Sequence, residues 1–297
     1  MSFKAGFVAL VGRPNVGKST LLNSLVEHKI AITTPKPQTT RDNIRGILTT
    51  EDAQIIFVDT PGIHKSKQKL SAQMVKRAYE AISDVDVIML LVDASKPFSK
   101  GDALVLDSIK DINKPKFLIV NKVDKITKQE LLEYLSNNID ESLFDEIIPV
   151  SALKEKNLQE LIETVKQYLP EDVQYYPTDM ISDYPESFII SEIVREKVLL
   201  NTEEEIPHSV AVQVEEITRK PNVLYIRCAI VVEKQSQKGI IIGKNGRMIK
   251  KIASDSRAEL EERFDSKVYL ETFVRVEDDW RNRQSQLKEF GYWDSNE

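Results

Sequence analysis

Short apolar runs alternate with amphipathic stretches along the first 170 residues of the chain. The apolar runs typical of buried strands are residues 7–11, 54–58, 87–92, 116–120 and 147–150. Apolar residues at helical spacing occupy 71–82, 128–139 and 158–169. This alternation predicts an α/β fold with a doubly wound, mostly parallel sheet covered by helices on both faces. Ligands of such sheets bind at the carboxyl ends of the strands, so we expect the chemistry in the loops that follow them.

The second half of the chain has a different order of elements. Prolines and acidic residues interrupt the periodicity between Pro170 and Pro185, which indicates a linker. A helical pattern then covers 188–200, strand patterns cover 209–217 and 223–232, helical patterns flank 243–246, and a last strand covers 267–276. This order predicts a smaller α+β domain. The expected boundaries are a first domain at 1–170, a linker at 171–186, a second domain at 187–280 and a C-terminal helix or tail at 281–297.

The composition is that of a globular protein, with 297 residues of which 41% are hydrophobic and 30% charged. The longest apolar run, 87–92, lies between Asp86 and Asp93 and is too short to cross a bilayer. The first domain starts almost at once, so we expect no signal peptide. Cys228 is the only cysteine, which excludes an intrachain disulfide and fits a reducing cytoplasm.

The loop after the first apolar run carries the most specific signal in the chain. It reads Gly12-Arg13-Pro14-Asn15-Val16-Gly17-Lys18-Ser19, and a helical pattern that includes Thr20 follows. Its glycines let backbone N–H groups turn inward around an anion, its lysine supplies a charge for phosphate oxygens, and its serine hydroxyl suits Mg²⁺. The segment from Gly12 through Thr20 is therefore predicted to bind the phosphates of a nucleotide.

The sequence Asn121-Lys122-Val123-Asp124 follows the apolar run at 116–120 and indicates the base. The Asp124 carboxylate can accept hydrogen bonds from N1–H and the exocyclic amine of guanine, whereas adenine would leave that charge unsatisfied. Asn121 can contact the other base edge and tie down the phosphate loop, and the stem of Lys122 can cover a ring face. Alone, such a tetrapeptide is usually a turn. Downstream of a phosphate loop it predicts GTP or GDP.

The sequence Asp59-Thr60-Pro61-Gly62 follows the apolar run at 54–58. In isolation it would be a plain β-turn. At the end of a strand that faces the phosphate loop, the Asp59 carboxylate can hold Mg²⁺ through water, and the Gly62 N–H can meet a γ-phosphate. All four residues are therefore predicted to belong to the GTP site, and Gly62 is expected to report whether the γ-phosphate is present.

Together with Ser151-Ala152-Leu153, which follows the run at 147–150, these motifs resemble those of the Ras-like GTPase superfamily. The resemblance implies that these three residues complete the guanine site and that residues 38–42 form the first switch. A switch threonine then joins the Mg²⁺ shell when GTP is bound, and we predict Thr40, with Thr39 as the alternative. The predicted metal ligands are Ser19, Thr40 and Asp59, and the predicted catalytic residues are Lys18, Thr40, Gly62 and Asn15.

One position departs from the Ras pattern. In Ras the residue after the glycine of the Asp-x-x-Gly motif is a glutamine that orients the attacking water, but here it is Ile63. We therefore expect slow intrinsic hydrolysis, or a water-positioning group supplied from elsewhere. His64 is one candidate, although a lone exposed histidine is more often idle. The loop also resembles that of the TrmE–Era group of GTPases, in some of which the asparagine matching Asn15 helps to bind K⁺ beside the phosphates.

The second domain resembles a type II KH domain, with Gly243-Lys244-Asn245-Gly246 between its two central helices. The glycines allow a tight turn to approach a nucleic-acid backbone, where Lys244 and Arg247 would meet phosphates, and isoleucines would line a groove for single-stranded bases. Lysines at 234, 238, 250 and 251 add charge, with Glu233 as the only close acid. The predicted RNA-binding residues are Gly243, Lys244, Asn245, Gly246, Arg247, Lys250 and Lys251. The tryptophans near the C-terminus are expected to pack on the domain instead of stacking on bases.

A TrmE–Era-type GTP-binding domain followed by one type II KH domain implies a GTPase of small-ribosomal-subunit biogenesis. The expected partners are the single-stranded 3′ region of 16S rRNA and the 30S subunit, and the expected cofactors are GTP or GDP, Mg²⁺ and K⁺. The resemblance further implies a cytoplasmic protein with weak peripheral association with the inner face of the membrane, and we expect a monomer. Lys65, Lys67 and Lys69 follow the Asp-x-x-Gly motif and are expected to meet RNA or the second domain.

Two other functions compete with this interpretation. The chain could be an RNA-binding module in which the nucleotide is structural, which Ile63 makes conceivable. It could also be a signalling GTPase of the membrane surface, but that function needs a lipidation motif or a basic amphipathic helix, and the chain ends carry neither.

Overall fold

The computed structural model describes residues 2–36, 38–63 and 68–293. The chain divides into two compact units. The first holds most of the residues up to 183, and the second holds residues 184–293 with the short segments 34–36 and 68–73. His64, Lys65, Lys67 and residues 294–297 lie outside the described residues.

A six-stranded sheet forms the centre of the first unit. Its strands are β1 (Lys4–Val11), β2 (Ile44–Thr49), β3 (Ala53–Asp59), β4 (Val87–Asp93), β5 (Lys116–Asn121) and β6 (Glu146–Pro149). The order across the sheet is β2-β3-β1-β4-β5-β6, with β2 antiparallel to β3 and all other neighbours parallel. All residues of β3 and β4 are buried, as expected for central strands covered on both faces. The predicted doubly wound, mostly parallel sheet is confirmed.

The strand β2 is the element of this sheet that the sequence pattern missed. Arg45 and Gly46 interrupt its apolar residues, so it does not read as a continuous buried run. Gly46 packs closely there, since an added Cβ would lie 2.7 Å from the terminal carbons of both Leu22 and Ile30 and those side chains would have to shift. The strand therefore depends on close packing against residues that are distant in sequence.

Among the described residues, five α-helices accompany the sheet. They are α1 (Lys18–Leu25), α2 (Lys69–Ser83), α3 (Lys100–Ile109), α4 (Lys128–Asn138) and α5 (Leu158–Tyr168). The helices α3 and α4 begin with capping boxes, in which Ser99 pairs with Asp102 and Thr127 pairs with Glu130. These local signals fix where the chain leaves each strand-end loop, and so hold the loops at one edge of the sheet.

The segment from Pro170 to Asp183 forms no helix or long strand but is hydrogen-bonded to the first unit. The carbonyl of Pro170 accepts from the N–H of Ala5 at 3.2 Å, and the carbonyl of Ile181 accepts from Ile47 at 3.0 Å. The side chain of Gln54 contacts the backbone at positions 175 and 176. The prolines here thus stop regular structure while backbone groups still find partners.

The second unit is a three-stranded sheet with helices. Its elements are α6 (Glu186–Asn201), α7 (Ile206–Ser209), β7 (Ala211–Lys220), β8 (Val223–Val232), α8 (Gln235–Ile242), α9 (Arg247–Phe264), β9 (Val268–Val276) and α10 (Gln284–Glu289). The sheet order is β7-β8-β9, with β7 antiparallel and β9 parallel to β8. The predicted helix-strand-strand-helix-helix-strand order is confirmed, with α7 as an additional short helix.

The C-terminal residues are part of this unit. Trp280 is fully buried, and its indole N–H donates to the carbonyl of Ser209 at 2.9 Å. The expectation that Trp280 packs on the domain is therefore confirmed. Arg281 forms an ion pair with Glu233 at 2.5 Å. The negative charge of Glu233 is therefore balanced by Arg281 and offsets less of the positive charge of the Gly-Lys-Asn-Gly loop.

Candidate functional site

The loop between β1 and α1 needs glycine at both ends. A Cβ on Gly12 would lie 2.8 Å from the carbonyl oxygen of Leu91. Gly17 has φ +106°, a value that side chains rarely tolerate, and a Cβ there would lie 2.3 Å from Nδ2 of Asn121. The loop thus packs directly on β4 and on the guanine motif, and α1 begins immediately after it at Lys18.

Lys18 lies inside this loop. Its Nζ donates to the carbonyl oxygens of Gly12 at 3.2 Å and Arg13 at 3.4 Å, and the residue is 6% exposed. Burial lowers the pKa of Lys18, and the charge of Asp59 opposes that shift. A phosphate bound in the loop would supply further negative charge and favour the ammonium form.

Three oxygen-bearing side chains meet beside the loop. The Ser19 hydroxyl donates to Oδ2 of Asp59 at 2.6 Å, and the Thr40 hydroxyl donates to the same oxygen at 3.2 Å. The two hydroxyl oxygens are 2.9 Å apart. The structure thus brings together all three predicted metal ligands, and it is Thr40 whose hydroxyl makes these contacts.

The electrostatics of Asp59 suit a cation. The residue is fully buried, and burial raises its pKa against the opposing effects of Lys18 and the two hydroxyls. Its second oxygen, Oδ1, is buried without a hydrogen-bond partner. Two hydroxyls and a carboxylate with an unsatisfied oxygen form the hard-oxygen donor set that Mg²⁺ prefers. The residues present therefore fit this metal.

The residues after Asp59 have separate tasks. The Thr60 hydroxyl donates to the carbonyl of Leu10 at 2.8 Å, so that side chain anchors the loop to β1 and is not aimed at a ligand. Pro61 is buried, and a Cβ on Gly62 would lie 2.8 Å from the ring of Pro14. The Asp-Thr-Pro-Gly segment therefore packs tightly against the phosphate loop.

Ile63 is 2% exposed and belongs to the hydrophobic core with Val11, Val58 and Ala78. Its side chain is engaged in packing, in addition to lacking any hydrogen-bonding group. Since His64 lies outside the described residues, its suggested role stays a prediction.

The predicted guanine residues converge on one cavity of 130 Å³. Asn121 links its walls, because its Nδ2 donates to Val16 O at 2.9 Å and its Oδ1 accepts from Ala152 N at 3.0 Å. The Ser151 hydroxyl donates to Oδ1 of Asp124 at 2.5 Å and so orients the carboxylate. The cavity is lined by Gly17, Thr20, Asn121, Lys122, Asp124, Lys125, Ala152 and Leu153.

Two buried acids near the phosphate loop were not predicted as site residues from the sequence. Asp93, at the end of β4, accepts from Nζ of Lys122 at 2.7 Å, and Asp102 in α3 pairs with Arg13 at 2.8 Å. Burial disfavours the charge of Asp93, but hydrogen bonds from Lys122 and Ser95 outweigh it and lower the pKa of Asp93. The sequence signal for Asp93 is an acid that directly follows the apolar run at 87–92.

Asn15 lies at the tip of the phosphate loop with φ +66°, in the left-handed region. Its carbonyl oxygen accepts from Nζ of Lys122 at 2.8 Å. The backbone of this residue is thereby fixed, which sets the direction in which its side chain leaves the loop.

In the second unit, the loop between α8 and α9 turns through three residues of positive φ. These are Gly243 at +70°, Asn245 at +53° and Gly246 at +73°. Lys244, Asn245 and Arg247 are exposed, and α9 begins at Arg247. The turn therefore presents two cations and a helix N-terminus to solvent, an arrangement that suits phosphate binding.

The lysines of α9 differ from each other. Lys250 is exposed, whereas Lys251 forms an ion pair with Asp255 at 2.9 Å and donates to Asn201 at 2.5 Å. The expectation that Glu233 is the only close acid was therefore wrong, because Asp255 lies one helical turn after Lys251.

Comparisons with known proteins agree with this division. Residues 7–122 match the family described as 50S ribosome-binding GTPase, and residues 205–281 match the KH domain family. The GTPase Era of Halothermothrix orenii is 47% identical over 293 residues, which cover 98% of this chain and 99% of that protein.

Two solved structures are similar over 98% of this chain and 99% of their own length, each with 42% identity. One is Era in complex with MgGDPNP and nucleotides 1506–1542 of 16S ribosomal RNA, with a TM-score of 0.95. The other is a variant of Aquifex aeolicus Era bound to GDP·AlF₄⁻, with a TM-score of 0.92.

Fold and site together define a GTPase of the Ras-like class that carries a C-terminal KH domain. The chain belongs to the Era GTPase family. The predicted family, fold class and GTPase activity are thus confirmed. Among the described residues, no helix is both long enough and apolar enough to traverse a bilayer.

Proposed function

We propose that this GTPase acts in 16S rRNA processing and assembly of the 30S subunit, with its KH domain bound to the 3′ region of 16S rRNA. The proposal is supported by the relative solved with nucleotides 1506–1542 of that RNA, which matches 98% of this chain. The observation that carries the nucleotide part is the meeting of Ser19, Thr40 and Asp59 beside a loop that holds a buried lysine.

Lys18 and the N–H groups of the phosphate loop bind the phosphates of GTP or GDP in this proposal. Ser19, Asp59 and, in the GTP state, Thr40 hold Mg²⁺, which when bound would neutralise phosphate charge. The hydroxyl of Thr40 reports the γ-phosphate because it lies on the segment after α1 and contacts ligands on α1 and β3.

Asp124 selects guanine. Its carboxylate is held by Ser151 on one oxygen, which leaves capacity to accept from N1–H and the exocyclic amine of the base. Adenine offers no such donor pair, so ATP would leave the carboxylate unsatisfied and bind far more weakly.

The group that positions the attacking water is not Ile63, since that side chain is buried in the core. We propose that K⁺ held with the help of Asn15 supplies the missing charge beside the phosphates. The positive φ of Asn15 and the fixed position of its carbonyl oxygen support an ordered side chain at this point.

RNA binding is assigned to the loop 243–246 with Arg247, Lys250 and the exposed Ile240, which is 51% exposed. Lys251 stays part of this predicted set, with Asp255 as a competing partner for its ammonium. The remaining predictions, a cytoplasmic monomer with weak contact with anionic membranes, are testable by analytical ultracentrifugation and by sedimentation with vesicles.

The test is GTP turnover measured with and without an RNA of the 16S 3′ region, in K⁺ and in Na⁺ buffer. We expect stimulation by K⁺ and by RNA. The Lys18→Ala variant should lose turnover, whereas Lys244→Ala combined with Arg247→Ala should keep basal turnover and lose the RNA response. Equal hydrolysis in K⁺ and Na⁺ would remove the K⁺ proposal. RNA binding without any stimulated turnover would favour an RNA-binding module with a structural nucleotide.

A further inference from the structure

One buried carboxylate, that of Asp93, is connected to the phosphate loop through a single side chain, that of Lys122. Asp93 ends β4 and is 2% exposed. Its Oδ2 accepts from Nζ of Lys122 at 2.7 Å, and the same Nζ donates to the carbonyl oxygen of Asn15 at 2.8 Å. The ammonium of Lys122 thus bridges a buried carboxylate and the tip of the loop.

Asp93 is itself rigidly placed. Its Oδ1 accepts from the N–H of Ser95 at 3.1 Å and from the Ser95 hydroxyl at 2.6 Å. Its backbone lies opposite Asn121 in the sheet, where Ala94 N donates to Asn121 O at 3.0 Å. The carboxylate is therefore fixed relative to the strand from which Lys122 emerges.

The side chain of Lys122 would otherwise have many positions. Its four-carbon stem loses considerable rotamer entropy when held in one place, and a neutral carbonyl is a weak anchor for an ammonium. The ammonium makes a charge-assisted hydrogen bond to either partner, but only the buried carboxylate carries an opposite charge, so it attracts the ammonium more strongly than the carbonyl oxygen does. The partner that determines where this ammonium lies is consequently Asp93.

We propose that Asp93 is a positioning residue for guanine nucleotides. It holds Lys122 so that the lysine stem covers the guanine ring and the lysine head fixes the phosphate loop at Asn15. The inference rests on the proposed nucleotide-binding role of Lys122 and adds to it a residue that touches neither base nor phosphate.

The first test is the dissociation rate of a fluorescent GDP from full-length protein. Asp93→Asn should release GDP roughly 10- to 100-fold faster, as expected when one hydrogen bond to a charged group is lost. KM for GTP should rise while kcat changes little. Asp86→Asn is the matched control, because Asp86 precedes the same strand at its other end and accepts from Phe7 N at 2.7 Å. It should leave GDP release unchanged.

The second test asks whether Asp93 acts through Lys122. In a Lys122→Ala background, Asp93→Asn should have no further effect on GDP release, whereas a general structural defect would act equally in both backgrounds. The inference would be overturned if Asp93→Asn alone released GDP at the wild-type rate. It would also be overturned if Asp93→Asn accelerated release as much in the Lys122→Ala background as in the wild type. A wild-type protein that binds ADP as well as GDP would instead refute the proposed nucleotide specificity.

Ser95→Ala covers the case in which Asp93→Asn does not fold. Ser95 is exposed, and its hydroxyl donates to the Asp93 carboxylate. Its replacement by alanine should therefore disturb the fold little. It should speed GDP release about 2- to 10-fold in the wild-type background and not at all with Lys122→Ala. No change in either background would contradict the role of Asp93.

Discussion

At the scale of single residues, two buried charged side chains beside the phosphate loop, those of Asp59 and Lys18, account for much of the proposed nucleotide chemistry. Asp59 has two hydroxyl donors on one oxygen and none on the other. The Lys18 ammonium donates to two carbonyl oxygens, and the charge of Asp59 also acts on it. Because unpaired buried charges are costly, the proposed Mg²⁺ and phosphate would stabilise both residues by completing their coordination.

Substitution at the two adjacent switch threonines tests this arrangement. Thr40→Ala should weaken binding of a non-hydrolysable GTP analogue with Mg²⁺ by about tenfold, the effect of losing a contact to a charged site, and leave GDP binding nearly unchanged. Thr39→Ala should leave both affinities within about twofold. Calorimetric titration of the two variants decides the matter, and the opposite pattern would assign the switch role to Thr39.

Cys228 provides a prediction about reactivity. Burial raises the pKa of Cys228 to about 12, with a smaller contribution from the charge of Glu215. The thiol therefore stays protonated at pH 8 in the folded protein, while an unfolded thiol with pKa of about 8.5 would be partly ionised. We expect no reaction with a maleimide under native conditions and complete reaction in guanidinium chloride. Stoichiometric labelling of folded protein would contradict the burial.

At the scale of elements, parallel strands bring distant motifs to one edge. The ends of β1, β3, β4, β5 and β6 deliver the phosphate loop, Asp59, Asp93, Asn121 and Ser151 to the same place. Glycines then decide how closely the connecting loops approach each other. The same principle operates in the second unit, where glycine ends α8 and begins the turn toward α9.

Gly239, inside α8, and Gly243, which follows its last residue, should respond in opposite ways to alanine. Nothing lies within 4 Å of a Cβ on Gly239, so Gly239→Ala should stabilise the helix by roughly 0.5–1 kcal/mol. Gly243 has φ +70°, and its Cβ would lie 2.7 Å from Met248, so Gly243→Ala should cost at least about 1–2 kcal/mol.

Urea unfolding followed by tryptophan fluorescence measures both effects, because Trp280 and Trp293 both lie in the second unit. Stabilisation by both substitutions would mean that the turn at Gly243 is not the one described. The same result guides the choice of variants for RNA-binding measurements. Substitution of Gly243 should alter the stability of the fold as well as the predicted binding loop, whereas Lys244 and Arg247 are exposed and their substitution should leave the stability nearly unchanged.

At the scale of the whole molecule, an acidic chain of net charge −6 carries a local basic loop. In the proposed function, RNA binding depends on a small surface that includes Lys244, Arg247 and Lys250. If nucleotide state and RNA binding are linked, thermodynamics requires that GTP and RNA change each other's affinity by the same factor.

This linkage gives the last prediction. RNA of the 16S 3′ region should bind more tightly in the presence of a non-hydrolysable GTP analogue than with GDP, by about 5- to 150-fold, the range typical of coupled sites. The reciprocal gain in analogue affinity on adding RNA should be equal. Fluorescence anisotropy of labelled RNA measures the first, calorimetry the second. Identical RNA affinity in both nucleotide states would mean that the two domains are only tethered.

The amino-acid sequence alone predicted the strands of the parallel part of the sheet, the phosphate loop and the guanine motif, because each depends on short-range patterns of residue type, but it missed β2 and α7. It also pointed to Thr40 and Asp59, but it left Thr39 open, since neighbours in sequence differ in direction only once the chain is folded. The tertiary structure decided which hydroxyl meets Asp59, placed β2 antiparallel at the edge, and paired Lys251 with Asp255. It alone joined Asp93 to Lys122 and Asn15, residues from three separate segments. Contacts between distant segments depend on how strands align, and no local pattern records that.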